Sequence, residues 1–152
     1  MATQKHKRPF DWDFDPSVLS GIAGCSALTE YLGEHPSFHD SDLVGLYLRD
    51  GQAIVEIEMD GAWQRGTFNP DKKCRVKIAM VQVVGFHLFC AVPSTVHSLG
   101  FRTIIEGTEF PPRLFDVRAG DIELGLEDVY GTGGTILARS ARIDFVPTKD
   151  SK

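Results

Sequence analysis

The segment Pro36-Ser37-Phe38-His39-Asp40-Ser41-Asp42 places an imidazole and two carboxylates directly ahead of the apolar run Leu43-Val44-Gly45-Leu46-Tyr47-Leu48. Imidazole with carboxylates is a common ligand set for divalent ions, so a metal-dependent hydrolase using His39, Asp40 and Asp42 is one reading of this chemistry. Ligands this close together in a loop need companions from elsewhere. His35 is near in sequence, and His87 or His97 would have to be brought in by folding. Pro36 breaks any helix running into the pair, so helical presentation of His39 and Asp40 is not expected. A structural role is the stronger expectation, with no metal and no cofactor. Neutral His39 would donate a ring N–H to a backbone carbonyl, Asp40 would accept backbone N–H groups at the strand entry, and Phe38 would plug the core. On that reading His39→Ala lowers the thermal midpoint, and added zinc or manganese changes nothing.

Other chemistry is less complete. Tyr130-Gly131-Thr132-Gly133-Gly134-Thr135 has the look of a phosphate-cradling loop, but Ile136-Leu137-Ala138-Arg139 continues as a strand pattern where such a loop needs a helix N-terminus. A glycine-rich hairpin connection is expected instead. Ser26, Ser37 and Ser94 lack a GxSxG elbow, and Cys25, Cys74 and Cys90 form no CxxC pair. No catalytic residues are assigned. Glu56, Glu58, Asp60, Glu123 and Glu127 are expected as acidic strips on exposed strand faces. Such strips are solvated faces or, functionally, a patch for a basic partner. Trp63, just after Asp60-Gly61, is placed either to anchor such an interface or to cover the core.

The elements that must hold these residues are mostly strands. Asp15-Pro16 offers an N-cap followed by proline at the first helical position, and Ser26 a second cap for a helix through Leu28, Tyr31 and Leu32 that Gly33 stops. From Asp42 the period becomes two. Leu43 to Arg49 and Gln52 to Met59 are expected to form an antiparallel hairpin about Asp50-Gly51, which tolerates positive φ at both turn positions. Alternation also marks Val76, Ile78 and Met80, then Leu99, Phe101, Thr103 and Ile105, then Ile122, Leu124 and Leu126 against Asp121, Glu123 and Glu127, each run with one wet face. Ala141, Ile143 and Phe145 fall out of step with Ile136 and Ala138, which predicts a bulge near Ser140. Phe10, Trp12 and Phe14 suit an edge strand. The fold class is α+β and mostly β: an antiparallel sandwich or strongly curved sheet with one or two short N-terminal helices.

At 152 residues the chain suits a single β-rich domain over 10–147, between flexible tails at 1–9 and 148–152. Hydrophobic residues at 42% and charged residues at 24% are globular values, and a net charge of -5 argues against nucleic acid or anionic membrane as partner. The cysteines have an odd count and wide spacing, and no secretory segment opens the chain, so reduced, mostly buried thiols and a cytoplasmic location are expected. A small homo-oligomeric scaffold or ligand-binding module is a further reading, through unpaired sheet edges.

Taken together, Leu19-Ser20-Gly21, Tyr31-Leu32-Gly33 and Pro36-Ser37-Phe38-His39-Asp40-Ser41-Asp42, with the strand through Leu48, resemble the opening of bacterial immunity protein family fifty. Members carry a Pro-Ser-Phe-His-Asp-Ala-Glu type segment; here Ser41 replaces the alanine and Asp42 the glutamate, which keeps the carboxylate. Val129-Tyr130-Gly131 through Ala141-Arg142-Ile143 is similar in style to the family's closing glycine turn and strand. The resemblance implies a non-enzymatic protein that neutralises a cognate toxin by binding it, with no catalytic residues. Phe38, His39, Asp40 and Asp42 then form a structural or functional motif, and Glu56, Glu58, Trp63 and Glu123 are the candidate partner-binding residues.

Overall fold

A computed structural model describes residues 15–88, 95–105, 116–128 and 133–149, with the backbone alone at 87, 88, 97 and 128. The expected strand at Phe10, Trp12 and Phe14 lies outside the described residues, as does Cys90. The first helix, α1 (Pro16–Gly21), begins as its sequence predicts: the Asp15 carboxylate accepts the Ser17 N–H at 2.9 Å and proline takes the first turn. The second, α2 (Cys25–Leu32), stops at Gly33, whose φ of 79° is left-handed. Its start differs from expectation. Gly24, not Ser26, is the cap, with φ 91°. A Cβ there would lie 1.8 Å from the Ile143 carbonyl oxygen, and the Ile143 N–H donates to the Ala23 carbonyl at 2.8 Å. Close approach of one backbone to another selects the glycine.

The hairpin of β1 (Asp42–Arg49) and β2 (Gln52–Met59) turns at Asp50 (φ 52°) and Gly51 (φ 74°), both positive as a type I′ turn requires. The other strands are β3 (Ala62–Gln64), β4 (Thr67–Asn69), β5 (Cys74–Leu88), β6 (Val96–Thr103), β7 (Ile122–Asp128) and β8 (Gly133–Pro147). Six of them make one antiparallel sheet in the order β1-β2-β5-β8-β7-β6, and β3 with β4 forms a separate hairpin. β5 and β8 pair along their whole length. β2 covers only residues 74–80 of β5, and β7 only residues 133–138 of β8, so the two flanking hairpins hang from opposite ends of the central pair. Gly133 opens β8 opposite Glu127 of β7, and residues 129–132 of the expected glycine-rich connection lie outside the described residues.

The sheet curls until its outer edges meet. The Asp40 N–H donates to the Val96 carbonyl at 3.0 Å, the Val96 N–H returns to the Ser41 carbonyl at 2.7 Å, and Asp42 bridges Thr95. β1 and β6 are thus stitched at one corner without closing a barrel, and the curved sheet, not the sandwich, is the outcome. The concave face holds the core: Val55, Ile57, Val76, Ile78, Phe101, Leu124, Ile143 and Phe38 are all at most 2% exposed. Cys25 and Cys74 are buried free thiols, and burial pushes Cys74 up to about 11.

Two expectations along the strands are corrected. The irregularity predicted near Ser140 sits across the ladder on β5, where Gln82 has φ 56° and the register shifts between Val83 and Gly85. Nor does β7 keep a wet face, for Asp121 and Glu123 are each 3% exposed. Arg102 on β6 and the Thr135 hydroxyl on β8 bond to Glu123, while Arg139 and the Arg118 N–H hold Asp121. A buried carboxylate is tolerated only with partners of this kind.

Candidate functional site

Gly33 ends α2 and sends the chain into residues 34–41, the stretch that carries the histidine and its neighbours. Beside it stands the β3–β4 hairpin, turned at Arg65 (φ 51°) and Gly66 (φ 81°). Gln64 ties the two together. Its Nε2 donates to the Leu32 carbonyl at 2.6 Å, an acceptor the helix end leaves open, and its Oε1 accepts from Asn69 Nδ2 at 3.2 Å. A Cβ at Gly33 would stand 2.7 Å from that same Gln64 nitrogen. The glycine therefore both stops the helix and admits the clamp.

With Gln64 turned inward, its neighbour Trp63 faces out, and register puts Trp63 opposite Phe68. Their ring centroids lie 5.3 Å apart at 57°, and the residues remain 57% and 42% exposed. Gly61 makes room: a Cβ there would fall 2.7 Å from the Phe68 ring and 2.4 Å from the Asn69 carbonyl oxygen. The two rings together make a small exposed aromatic patch held from behind by the Gln64 clamp.

The motif residues meet this hairpin across a shallow concavity of about 60 Å³, lined by His39, Asp40, Asp60, Trp63 and Phe68 among others. Phe38, between lining residues in sequence, is 0% exposed and plugs the core as expected. Phe38 (φ 58°) and Asp40 (φ 61°) both adopt left-handed backbone, uncommon for residues with a Cβ. The alternation throws Phe38 inward and leaves the His39 and Asp40 side chains 54% and 70% exposed. His39 Nδ1 lies 3.0 Å from Asp40 Oδ2, so the carboxylate meets the neighbouring imidazole, while the Asp40 N–H makes the seam with Val96. The carboxylate thus differs from its expected role as acceptor of backbone N–H groups.

His35 also lines the concavity, although its Nε2 turns toward α1 and lies 3.1 Å from Ser20 Oγ. The remaining candidates are elsewhere, and Asp42 starts β1 opposite Glu58. Glu56 lies on the convex face, where the Tyr47 hydroxyl donates to it at 2.8 Å and Lys77 approaches to 3.4 Å. These partners, the tyrosine first, hold its carboxyl below the usual range. Glu58 is paired with Arg75 at 2.7 Å. Glu123 is the clear correction, because burial against Arg102 and Thr135 removes it from any contact surface. Phe68, Gln64, Glu34 and Asp60 belong to the corner instead. An Xaa-Gly pair at Arg65-Gly66 between two aromatics was the available signal for Phe68.

Among the described residues no group of three or more His, Cys, Asp or Glu side chains is placed to hold a metal ion. The concavity is also far below the roughly 300–1,000 Å³ of a small-molecule site. Among the described residues no helix is long and apolar enough to cross a membrane. Comparison of the chain with protein-family models, with curated proteins and with solved structures finds no match.

Proposed function

We propose that this chain is a non-enzymatic binding protein of the immunity type, acting in the cytoplasm, which neutralises a cognate toxin by covering part of its surface. The observation that carries this reading is the Trp63–Phe68 pair, exposed and anchored through Gln64, at the rim of the segment that resembles the immunity family. Tryptophan and tyrosine dominate the energetics of protein interfaces, and an anchor fixed in advance loses little freedom on binding. The small volume of the concavity favours a partner's side chain over a substrate.

The test is co-expression with the toxic C-terminal domain of a secreted protein encoded beside this chain. The wild-type chain is expected to restore growth and to purify with that domain. Trp63→Ala with Phe68→Ala should abolish both effects, and Glu56→Gln with Glu58→Gln should keep them. Full protection by the double alanine variant, or failure of the wild type to associate, would overturn the proposal.

A further inference from the structure

An aromatic pair by itself would accept any apolar side chain, but its surroundings here are charged. Glu34, Asp40 and Asp60 all line the concavity with Trp63 and Phe68, and the described lining residues include neither lysine nor arginine. Among the described residues no lysine or arginine forms an ion pair with any of the three, whereas Glu56, Glu58, Asp121 and Glu123 all have one. Apart from the His39 imidazole, 3.0 Å from Asp40, the described residues set no ion-pair partner against these carboxylates, so negative charge is concentrated beside two exposed aromatic residues. A cation over an aromatic face is attracted by the ring quadrupole, and carboxylates at the rim add to that attraction. The molecule already makes one such contact: Lys72 Nζ lies 4.8 Å from the centroid of the Tyr31 ring.

We propose that this corner receives one lysine or arginine side chain from a basic segment of the partner protein. The inference rests on the binding reading above and names the chemistry of what is bound. Trp63 and Phe68 take the alkyl stem and the face of the cation, and Asp40 and Asp60, with Glu34, surround its charge. The concavity, about 60 Å³, is on the scale of one side-chain head group. The Asp40 side chain is 70% exposed, which puts that carboxylate at the rim.

The chain holds two tryptophans, so a Trp12→Phe background leaves Trp63 as the sole indole fluorophore. Hexapeptides alternating glycine with arginine or with lysine are titrated against it, beside the same peptide carrying glutamate. The basic peptides should change Trp63 emission saturably, with affinity falling as salt rises, and the acidic peptide should have no effect. Asp40→Asn with Asp60→Asn should weaken the basic peptides about tenfold. Both positions are exposed, so this variant should melt like the wild type. Unchanged emission with both basic peptides, equal response to the acidic one, or equal affinity in the double asparagine variant would each overturn the proposal. If the toxin domain still binds the asparagine variant at full strength but is lost from Trp63→Ala/Phe68→Ala, the cation site fails and the binding reading stands. Loss of neither would remove both.

Discussion

Carboxylates occupy two regions of this molecule under opposite conditions. At the start of β7, Asp121 just before the strand and Glu123 within it are buried, and each is matched to an arginine and to a further donor. At the corner beyond α2, Asp40 and Asp60 are exposed and stand beside two open aromatic rings. The first arrangement spends its charge on holding strands together, since a buried ion without its partner would be costly. The second keeps its charge in solvent, with the His39 imidazole against Asp40 and no lysine or arginine ion pair to either carboxylate among the described residues. Acidic residues are therefore informative about function here only after their partners have been counted. The strip formed by Glu56 and Glu58 falls on the structural side, with Lys77 and Arg75 against it.

The contrast can be broken most forcefully from beneath the corner. Phe38→Ala empties a fully buried site and should cost about 4 kcal/mol in urea unfolding, taking the rim with it. A loss under about 1 kcal/mol would mean the corner does not rest on the core. Glu123→Ala comes next: it strands Arg102 and the Thr135 hydroxyl, and a loss of about 3 kcal/mol is expected by the same measurement. Asp40→Gly should act in the other direction, because glycine takes the left-handed backbone without strain. A gain of about 0.5 kcal/mol, with weaker basic-peptide binding, would show a rim residue kept at a small cost in stability. His39→Ala should change the midpoint little, since a pair this exposed contributes under about 1 kcal/mol.

The smallest effect belongs to Glu56→Gln, within about 0.5 kcal/mol at neutral pH. Its sign with pH is fixed by the lowered folded-state carboxyl. The contribution is complete above the ordinary value of 4.5 and is lost as the pH falls through the lower folded value. The acid limb of a stability profile should therefore be shallower in Glu56→Gln than in the wild type.

Local signals were legible in the sequence, and contacts between distant segments were not. Asp15-Pro16, Gly33 and Asp50-Gly51 each specify a dihedral or a cap through neighbouring atoms, and each does in the structure what its residue types demand. Gly24 was missed because its requirement comes from the Ile143 carbonyl, a contact made by the last strand. The burial of Glu123 depends likewise on β6 and β8, which the alternation within β7 cannot reveal. The kink at Gln82 carries no glycine to announce it. Trp63 was visible as a candidate anchor, but its meeting with His39 and Asp40 depends on the Gln64 clamp, whose partner lies in α2.

The stitch between Ser41 and Val96 joins the first and last strands of the sheet order through residues remote in sequence. Closing so long a loop for so few bonds makes it a late event in folding and an early one in local opening. Amide exchange at Asp40 and Val96 should then be faster than along β5 and β8. The Asp40 amide belongs to this stitch while its carboxylate sits on the rim, so a partner seated in the concavity would hold the stitch shut. Slowed exchange at Val96, outside the contact itself, would make the seam a gauge of occupancy.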